Sequence, residues 1–316
     1  MKFSIITPVF NREDTICRCI DSVIRNLQWK IPIEHIIVDD GSTDRTEKYI
    51  RAYISNNRHI KFIKFPQNKG TNAARNTAIK NATGQYCIIL DSDDYFTDTA
   101  IKDIATTIQS YPSYRHYLFA PNDMLDAYQK NPLLNGKEEQ IITYKDFLTG
   151  KVSGDFIHVI ETNILQAFPF DEYLRIYEGV FFLRFYREAQ NILFINKIVT
   201  IRERSRKDSV TRTTIRTSKD IITRKAIATE LYIQWYGNDL KKYGCTDKLY
   251  QNYQSLLENL LLLEDYKNAQ RIIVTDLLAI KPIYKIIYHL RLGKLFRIAL
   301  TIYLKIKYNI LKKRVK

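Results

Sequence analysis

The chain has 316 residues, 45 % of them hydrophobic and 26 % charged, enough for one large α/β domain and a smaller one, each with its own core. Forty-nine lysines and arginines against 34 acids give a formal net charge of +15, which points to an anionic partner: a nucleic acid, an anionic membrane surface or phosphorylated substrates. No run approaches the ~18 uncharged apolar residues of a bilayer span, and the four cysteines (Cys17, Cys19, Cys87, Cys245) lack metal-ligand or disulfide-scaffold spacing.

The start, MKFSIITPVF, runs straight into a strand pattern rather than a leader peptide, and reduced thiols in a cytosolic compartment are the expected state. Phe3–Thr7 is a predicted strand. A helix is predicted over Ile16–Leu27, with Ile16, Ile20, Val23, Ile24 and Leu27 on one face. Glu34–Asp39 is a β-branched run ending in acid, followed by a helix from Asp44 with Asp44 at its N-cap and Glu47 in capping-box spacing. Strands at Ile60–Phe65 and Tyr86–Leu90 then bracket a helix over Thr71–Asn81. This alternation indicates a parallel α/β sheet. After about residue 97 the pattern weakens: a helix over Ile101–Gln109, strands at His116–Ala120, Asp155–Ile160 and Ile192–Ile201, and short helices at Tyr144–Leu148 and about Glu178–Glu188. The polar, basic run Ser205–Thr217 marks a loop or boundary, and long helical patterns follow it. The expected division is 1–215, split near residue 97 into two halves, and a helical basic region over 216–316.

Ligands of parallel sheets gather at the carboxyl ends of the strands. Here those ends carry Thr7–Asn11, Asp39-Asp40-Gly41 and Asp91-Ser92-Asp93-Asp94, so acid collects on one rim. The fingerprint GxGxxG and the phosphate loop GxxxxGK[ST] are both absent, which disfavours a dinucleotide dehydrogenase or a P-loop nucleotidase. In LDSDDYF three carboxylates crowd within four residues. Asp91 and Asp93 could offer oxygens to Mg²⁺ or Mn²⁺ if the chain bends there; a solvated turn with Asp94 or Asp98 capping the next helix is the alternative. One carboxylate of Asp39-Asp40 could accept the ring N–H of a uracil base, or cap a turn. Arg75, in the second turn of the helix after Gly70, could neutralise the rim acids or bind a diphosphate bidentately.

The runs SIITPVFNRE, HIIVDDGSTDRT and NKGTNAARNTAIKNATGQYCIILDSDDYF resemble the amino-terminal half of family 2 glycosyltransferases, inverting enzymes of the GT-A fold that use nucleotide-diphospho-sugars. The likeness covers about residues 3–100 in order and spacing, is looser over 100–205, and is absent beyond about 215. It implies a mostly parallel GT-A-like sheet flanked by helices, with a helical carboxy-terminal extension. It also implies that Pro8, Phe10 and Glu13 line the nucleotide pocket, and that Asp40, or else Asp39, pairs with uracil. Asn68 and Arg75 would lie by the nucleotide and diphosphate, Asp91 and Ser92 by the donor, and Asp93 with Asp91 on Mn²⁺ or Mg²⁺. The family's general base belongs to a Glu-Asp pair at a helix start. Here Glu178 stands but Gly179 replaces the aspartate, with Asp171 and Glu172 as rival bases. Basic residues in IRERSRKDSVTR resemble the polar loop that follows the family's acceptor half, which implies that Arg202, Arg204 and Lys207 close over the diphosphate; a solvated loop is the alternative.

Beyond Asp276 no acid appears. Lys294, Arg297, Thr301, Lys305, Tyr308 and Lys312 make one polar helical stripe, with Phe296, Ala299, Tyr303, Ile306 and Ile310 roughly opposite, a pattern suited to an anionic membrane surface; a helix packed on its own domain, its lysines solvated, is the alternative. Nucleic acid is the weaker use of the charge, since no recognition motif accompanies it. The expected activity is transfer of a hexose or N-acetylhexosamine from a UDP-sugar to a saccharide or polyprenyl-linked acceptor in cell-surface polysaccharide or glycolipid assembly, in the cytoplasm at the inner face of the membrane. Two alternatives remain: a sugar-nucleotide-binding or scaffolding protein without catalysis, suggested by Gly179, and a nucleotidyltransferase, whose glycine-rich, lysine-bearing loop is missing.

Overall fold

Strand and helix alternate strictly through the first ninety residues: β1 (Phe3–Val9), α1 (Ile16–Asn26), β2 (Ile33–Asp39), α2 (Thr46–Ile54), β3 (Ile60–Lys64), α3 (Thr71–Lys80) and β4 (Tyr86–Ile89). The computed structural model describes residues 1–203, 218–274 and 280–314. It contains two compact units, Met1–Lys207 and Asp208–Lys316. The expected boundary at 215 lies outside the described residues, as do Arg204 and Lys207.

The remaining elements of the first unit are β5 (Tyr95–Phe96), α4 (Ala100–Ser110), β6 (His116–Pro121), α5 (Leu125–Gln129), β7 (Glu139–Thr143), α6 (Tyr144–Thr149), β8 (Ile157–Glu161), α7 (Thr162–Ala167), α8 (Gly179–Ala189) and β9 (Asn191–Ile201). One sheet runs β3-β2-β1-β4-β8-β6-β9-β5, with β7 also on β9. The pairs β1–β2, β1–β4 and β2–β3 are parallel. β8 lies antiparallel to both β4 and β6, and β9 is parallel to β6 but antiparallel to β5 and β7. The sheet is therefore mixed, where a mostly parallel one was expected. Antiparallel neighbours need no crossover helix, and the helices between β6 and β8 are α5 and α6, of only five and six residues.

The apolar periodicities meet where they should. Cys19 and Val23 of α1 and Ile101 and Ile104 of α4 bury against Phe3, Ile5 and Ile88 on one face of the sheet. Ile16 and Ile20 pack with Ile37 and Ile50. α3 approaches β1 and β2 through its buried small residues Ala73, Ala74 and Ala78. The expected cap on α2 shifts by a residue. Helix begins at Thr46, whose N–H donates to Asp44 Oδ1 at 3.0 Å, while Glu47 pairs outward with Arg51 and Lys64 instead of turning back to the cap. The amino-terminal ends of the strands are tied by Glu34, 3 % exposed, whose carboxylate receives Ser4 Oγ (2.5 Å), Lys61 Nζ (2.6 Å), Thr83 N–H (2.6 Å) and Gly84 N–H (3.1 Å).

The second unit is helical: α9 (Lys219–Lys242), α10 (Thr246–Leu262), α11 (Tyr266–Ile273), α12 (Pro282–His289) and α13 (Gly293–Arg314). Ser218 and Asp265 cap α9 and α11, and Pro282 opens α12, each where its chemistry suits a helix start. Leu257, Leu261, Ala269, Tyr284 and Ile287 form its core, with Phe296 of α13 against it. The stripe expected to be polar and outward is divided: Lys294 and Lys305 are exposed, but Arg297 and Thr301 are half-buried. Arg297 turns inward to the Leu262 carbonyl at 3.1 Å and Glu264 at 3.5 Å. No helix among the described residues is long and apolar enough to cross a membrane.

Candidate active site

The register of β1, β2 and β3 places Val9 beside Asp39 and Asp39 beside Lys64, so the loops leaving β1 and β2 start level. Side chains stitch them together. Ser42 Oγ accepts the Asn11 N–H at 2.9 Å, Asn11 Oδ1 accepts the Thr43 N–H at 2.8 Å, and Thr46 Oγ1 accepts the Arg12 N–H at 2.8 Å. Asn11 sits at φ 49°, a conformation asparagine tolerates better than most residues. Glu13 completes the seam by accepting from Arg45 N–H (2.9 Å) and Nε (3.1 Å), bonds that hold its carboxyl below the usual range. Pro8 lies within β1, and Phe10 is 39 % exposed at the rim.

Asp39 is fully buried; its Oδ1 accepts the Ser42 N–H at 2.9 Å, while its Oδ2 has no hydrogen-bond partner. Asp40, 3 % exposed, accepts Lys69 N–H at 2.6 Å and Gly70 N–H at 2.9 Å. Burial raises its pKa, and those two amide bonds only partly offset it. The β2 loop is thereby drawn onto residues 67–70. Gly41, at φ 74°, leaves no room there for a Cβ, which would meet the Gln67 carbonyl carbon at 2.7 Å. Asn68 stands exposed beside this contact.

After β4 the chain bends as the acid run requires. The Asp94 N–H donates to the Asp91 carbonyl at 3.0 Å, while Thr15 Oγ1 donates to the Ser92 carbonyl (2.9 Å) and Arg18 Nη2 to the Asp93 carbonyl (3.3 Å). The start of α1 thus grips the turn by its backbone. Ser92 is buried, and the side chains of Asp91 and Asp93 are 49 % and 37 % exposed. Arg12 Nε lies 3.9 Å from Asp93 Oδ2.

Arg75 joins the turn to the second half of the unit. Its Nη2 is 3.2 Å from Asp91 Oδ1 and its Nη1 is 3.6 Å from Glu178 Oε1, with its side chain 15 % exposed. Glu178, 21 % exposed, immediately precedes α8, and its carbonyl accepts from Phe181 N–H at 2.8 Å. The structure therefore gathers Asp91, Arg75 and Glu178, three residues far apart in sequence. An added Cβ at Gly179 meets nothing within 4 Å, so the missing aspartate is not a steric exclusion. The rival acids are engaged elsewhere. Asp171 Oδ1 accepts the Tyr173 and Leu174 N–H groups at 2.8 and 3.1 Å, and Glu172 Oε1 accepts Asn76 Nδ2 at 3.3 Å. Arg202 pairs with Asp123 at 2.6 Å and with Asp155 at 3.5 Å.

Two residues that sequence patterning did not single out set this geometry. Asn76 donates to the Phe170 carbonyl at 2.8 Å and accepts its N–H at 2.9 Å, and Asn72 donates to the Asp171 carbonyl at 2.9 Å. Two polar residues flanking Arg75 on one helical face were the available signal.

Among the described residues no group of three or more His, Cys, Asp or Glu side chains is placed to hold a metal ion. Two exposed carboxylates on a pinned turn suit an ion that draws its other oxygens from substrate phosphates and water.

Residues 4–156 match the family model for glycosyl transferase family 2. A curated relative, the GalNAc(5)-diNAcBac-PP-undecaprenol beta-1,3-glucosyltransferase of Campylobacter jejuni, is 28 % identical over 214 residues, covering 66 % of this chain and 67 % of the relative. The poly(ribitol-phosphate) beta-N-acetylglucosaminyltransferase TarS of Staphylococcus aureus is 35 % identical over 114 residues, but this match spans only 36 % of the chain and 20 % of TarS. The structure of TarS residues 1–349 in complex with UDP-GlcNAc superposes with a TM-score of 0.61 at 18 % identity, covering 86 % of this chain and 89 % of that one. The mannosyltransferase PcManGT of Pyrobaculum calidifontis, solved with GDP-Man and Mn²⁺, gives 0.55 at 15 % identity over 96 % and 88 % of the two chains. Over residues 4–156, just under half of its length and carried on a mixed GT-A-like sheet, the chain matches glycosyl transferase family 2.

Proposed function

We propose that this chain transfers a sugar, with inversion, from a nucleotide-diphospho-sugar to a hydroxyl of a saccharide or lipid-linked saccharide. The observation that carries the reading is the bridge from Asp91 through Arg75 to Glu178, which sets a strand-end acid and a helix-start acid about one guanidinium. Relatives that act on undecaprenol-linked and poly(ribitol-phosphate) acceptors support a carrier-bound acceptor, and the UDP-GlcNAc bound by TarS supports a UDP-sugar.

In this reading Pro8, Phe10, Glu13, Asp40 and Asn68 receive the nucleoside, and Arg75 turns to the diphosphate. Asp91 and Ser92 border the donor sugar. Asp93, with Asp91, would hold Mn²⁺ or Mg²⁺, which when bound neutralises charge on the departing diphosphate. Glu178 Oε accepts the acceptor's hydroxyl proton. The oxygen then bonds to the anomeric carbon as the bond from that carbon to the diphosphate oxygen breaks, and the nucleoside diphosphate leaves with the bonding pair. A carboxylate is ionised at neutral pH, and its basicity is used as the hydroxyl acidifies in the transition state. We place the reaction at the inner surface of the cytoplasmic membrane, where a carrier lipid would present its saccharide.

The test is transfer from UDP-sugars to membrane lipid extracts, followed by mass spectrometry, with Glu178→Gln alongside. The variant is expected to bind UDP as wild type does while its turnover falls by ~10²–10⁴. Turnover within threefold of wild type would remove Glu178 as the base. A wild type that binds UDP yet modifies no acceptor would favour a sugar-nucleotide-binding module, the reading that Gly179 suggests.

A further inference from the structure

Fourteen large hydrophobic side chains are exposed among the described residues, and nine of them fall between Val274 and Ile306. They are not scattered. On α13 the exposed residues Leu295, Ile298, Ile302 and Ile306 recur at intervals of three, four and four, tracing one helical face. Ile283, Ile286 and Leu290 do the same along and just beyond α12, and the two helices touch. This is not the face that holds α13 to its unit, because Phe296 and Arg297 already make those contacts. The helix is thus apolar on two sides, one packed and one open. Lys281, Lys285, Lys294 and Lys305 are exposed among the open residues, and eleven lysines and arginines with no acid follow Asp276.

We propose that the open faces of α12 and α13 form a membrane-docking surface that inserts isoleucine and leucine side chains between the headgroups of an anionic bilayer. It rests on the membrane placement proposed above and not on the transfer chemistry. The occupant follows from charge. A second copy of this surface would set its exposed Lys281, Lys285, Lys294 and Lys305 against like charge, whereas anionic headgroups neutralise them. A nucleic acid would satisfy the charge but leave the apolar stripe in water. A helix with one apolar face edged by lysines lies in the interface plane, its ammonium groups reaching up to the phosphates.

The experiment is flotation of the full chain with phosphatidylcholine vesicles and with vesicles containing one quarter phosphatidylglycerol, comparing wild type with Ile298→Glu/Ile302→Glu and with Lys294→Gln/Lys305→Gln. Wild type is expected to float only with the anionic vesicles. The isoleucine variant should lose about tenfold in partitioning for each side chain withheld from the bilayer. The lysine variant, whose apolar face is intact, should lose binding mainly in low salt. Far-UV circular dichroism checks that both variants stay helical. If the isoleucine variant floats as wild type does, this surface is wrong and the membrane placement stands. If wild type floats with neither vesicle, both fall. A wild-type dimer that these substitutions dissociate, without vesicle binding, would assign the face to a second copy and overturn the proposal. Donor hydrolysis measured without vesicles should be unchanged in both variants, which keeps this outcome separate from the test of Glu178.

Discussion

Replacing Glu34 by glutamine removes one charge from the amino-terminal edge of the sheet and leaves the side chain's shape. The carboxylate is 4 % exposed and meets Lys61 at 2.6 Å and Lys2 at 3.2 Å in addition to Ser4, Thr83 and Gly84. Burial by itself would raise its pKa, but the hydrogen bonds from Lys61, Ser4 and Thr83 outweigh it and hold the carboxyl well below its usual range. Glutamine turns an acceptor into a donor facing other donors, so about three charge-assisted bonds weaken or vanish, each worth ~1 kcal/mol more than its neutral replacement. Lys61 and Lys2 are 46 % and 40 % exposed and rehydrate easily, which keeps the loss near ~2–3 kcal/mol, below the ~3–5 kcal/mol for orphaning a fully buried charge. For a unit of this size that is about 4–12 °C in Tm. The sign with pH follows from linkage. A carboxyl depressed in the folded state stabilises fully above the unfolded pKa of ~4.3, and that contribution drains away as pH falls toward the folded value. Wild type and Glu34→Gln should therefore differ most at pH 7, with the gap narrowing as pH falls below ~4.3 toward the folded value. His35 and His158, both lowered to about 3 by burial, also cost stability below pH ~6.5, but equally in both proteins, so they cancel in the difference. Urea unfolding followed by Trp29 fluorescence in a Trp235→Phe background reads the first unit alone. A gap under ~1 kcal/mol at pH 7, less than one such bond, or a gap that does not narrow in acid, refutes the reasoning.

Asp93→Ala should weaken UDP binding about 10–100-fold in the presence of Mn²⁺ and leave metal-free binding unchanged, a contrast titration calorimetry reads directly; equal losses in both conditions would deny Asp93 the metal. Asn76→Ala removes both bonds to the Phe170 backbone and should cost ~1–2 kcal/mol in stability. If those bonds place Glu178, kcat should also fall about tenfold while the UDP Kd shifts by less than about twofold, since misplacing a base spares donor binding; a parallel change in both would make Asn76 merely structural.

The first half of the first unit was legible because its signals are local. β-branched runs, amphipathic helices and a glycine before α3 each state their structure within a dozen residues, and all seven elements through β4 lie within a few residues of their expected bounds. The second half was not legible to the same degree. β7 and α7 carry no distinctive periodicity, and the antiparallel course of β8 between β4 and β6 is a long-range choice that no window reveals. The same limit hid Asn72 and Asn76, whose partners lie more than ninety positions away. On α13 the difficulty was different: apolar residues occupy two faces, and a period locates faces without saying which one is covered. Arg297, expected in an outward stripe, instead turns inward to Leu262 and Glu264.

Asn72, Arg75 and Asn76 project from a single helix face and between them reach Phe170, Asp171, Glu178 and Asp91. α3 thus works as a jig: the position of the acid in the second half is dictated by a helix belonging to the first. Everything between β6 and α7 is released from that duty. Loops and short helices there make none of these contacts, so they can lengthen or shrink while the spacing from the strand-end acids to Glu178 is preserved.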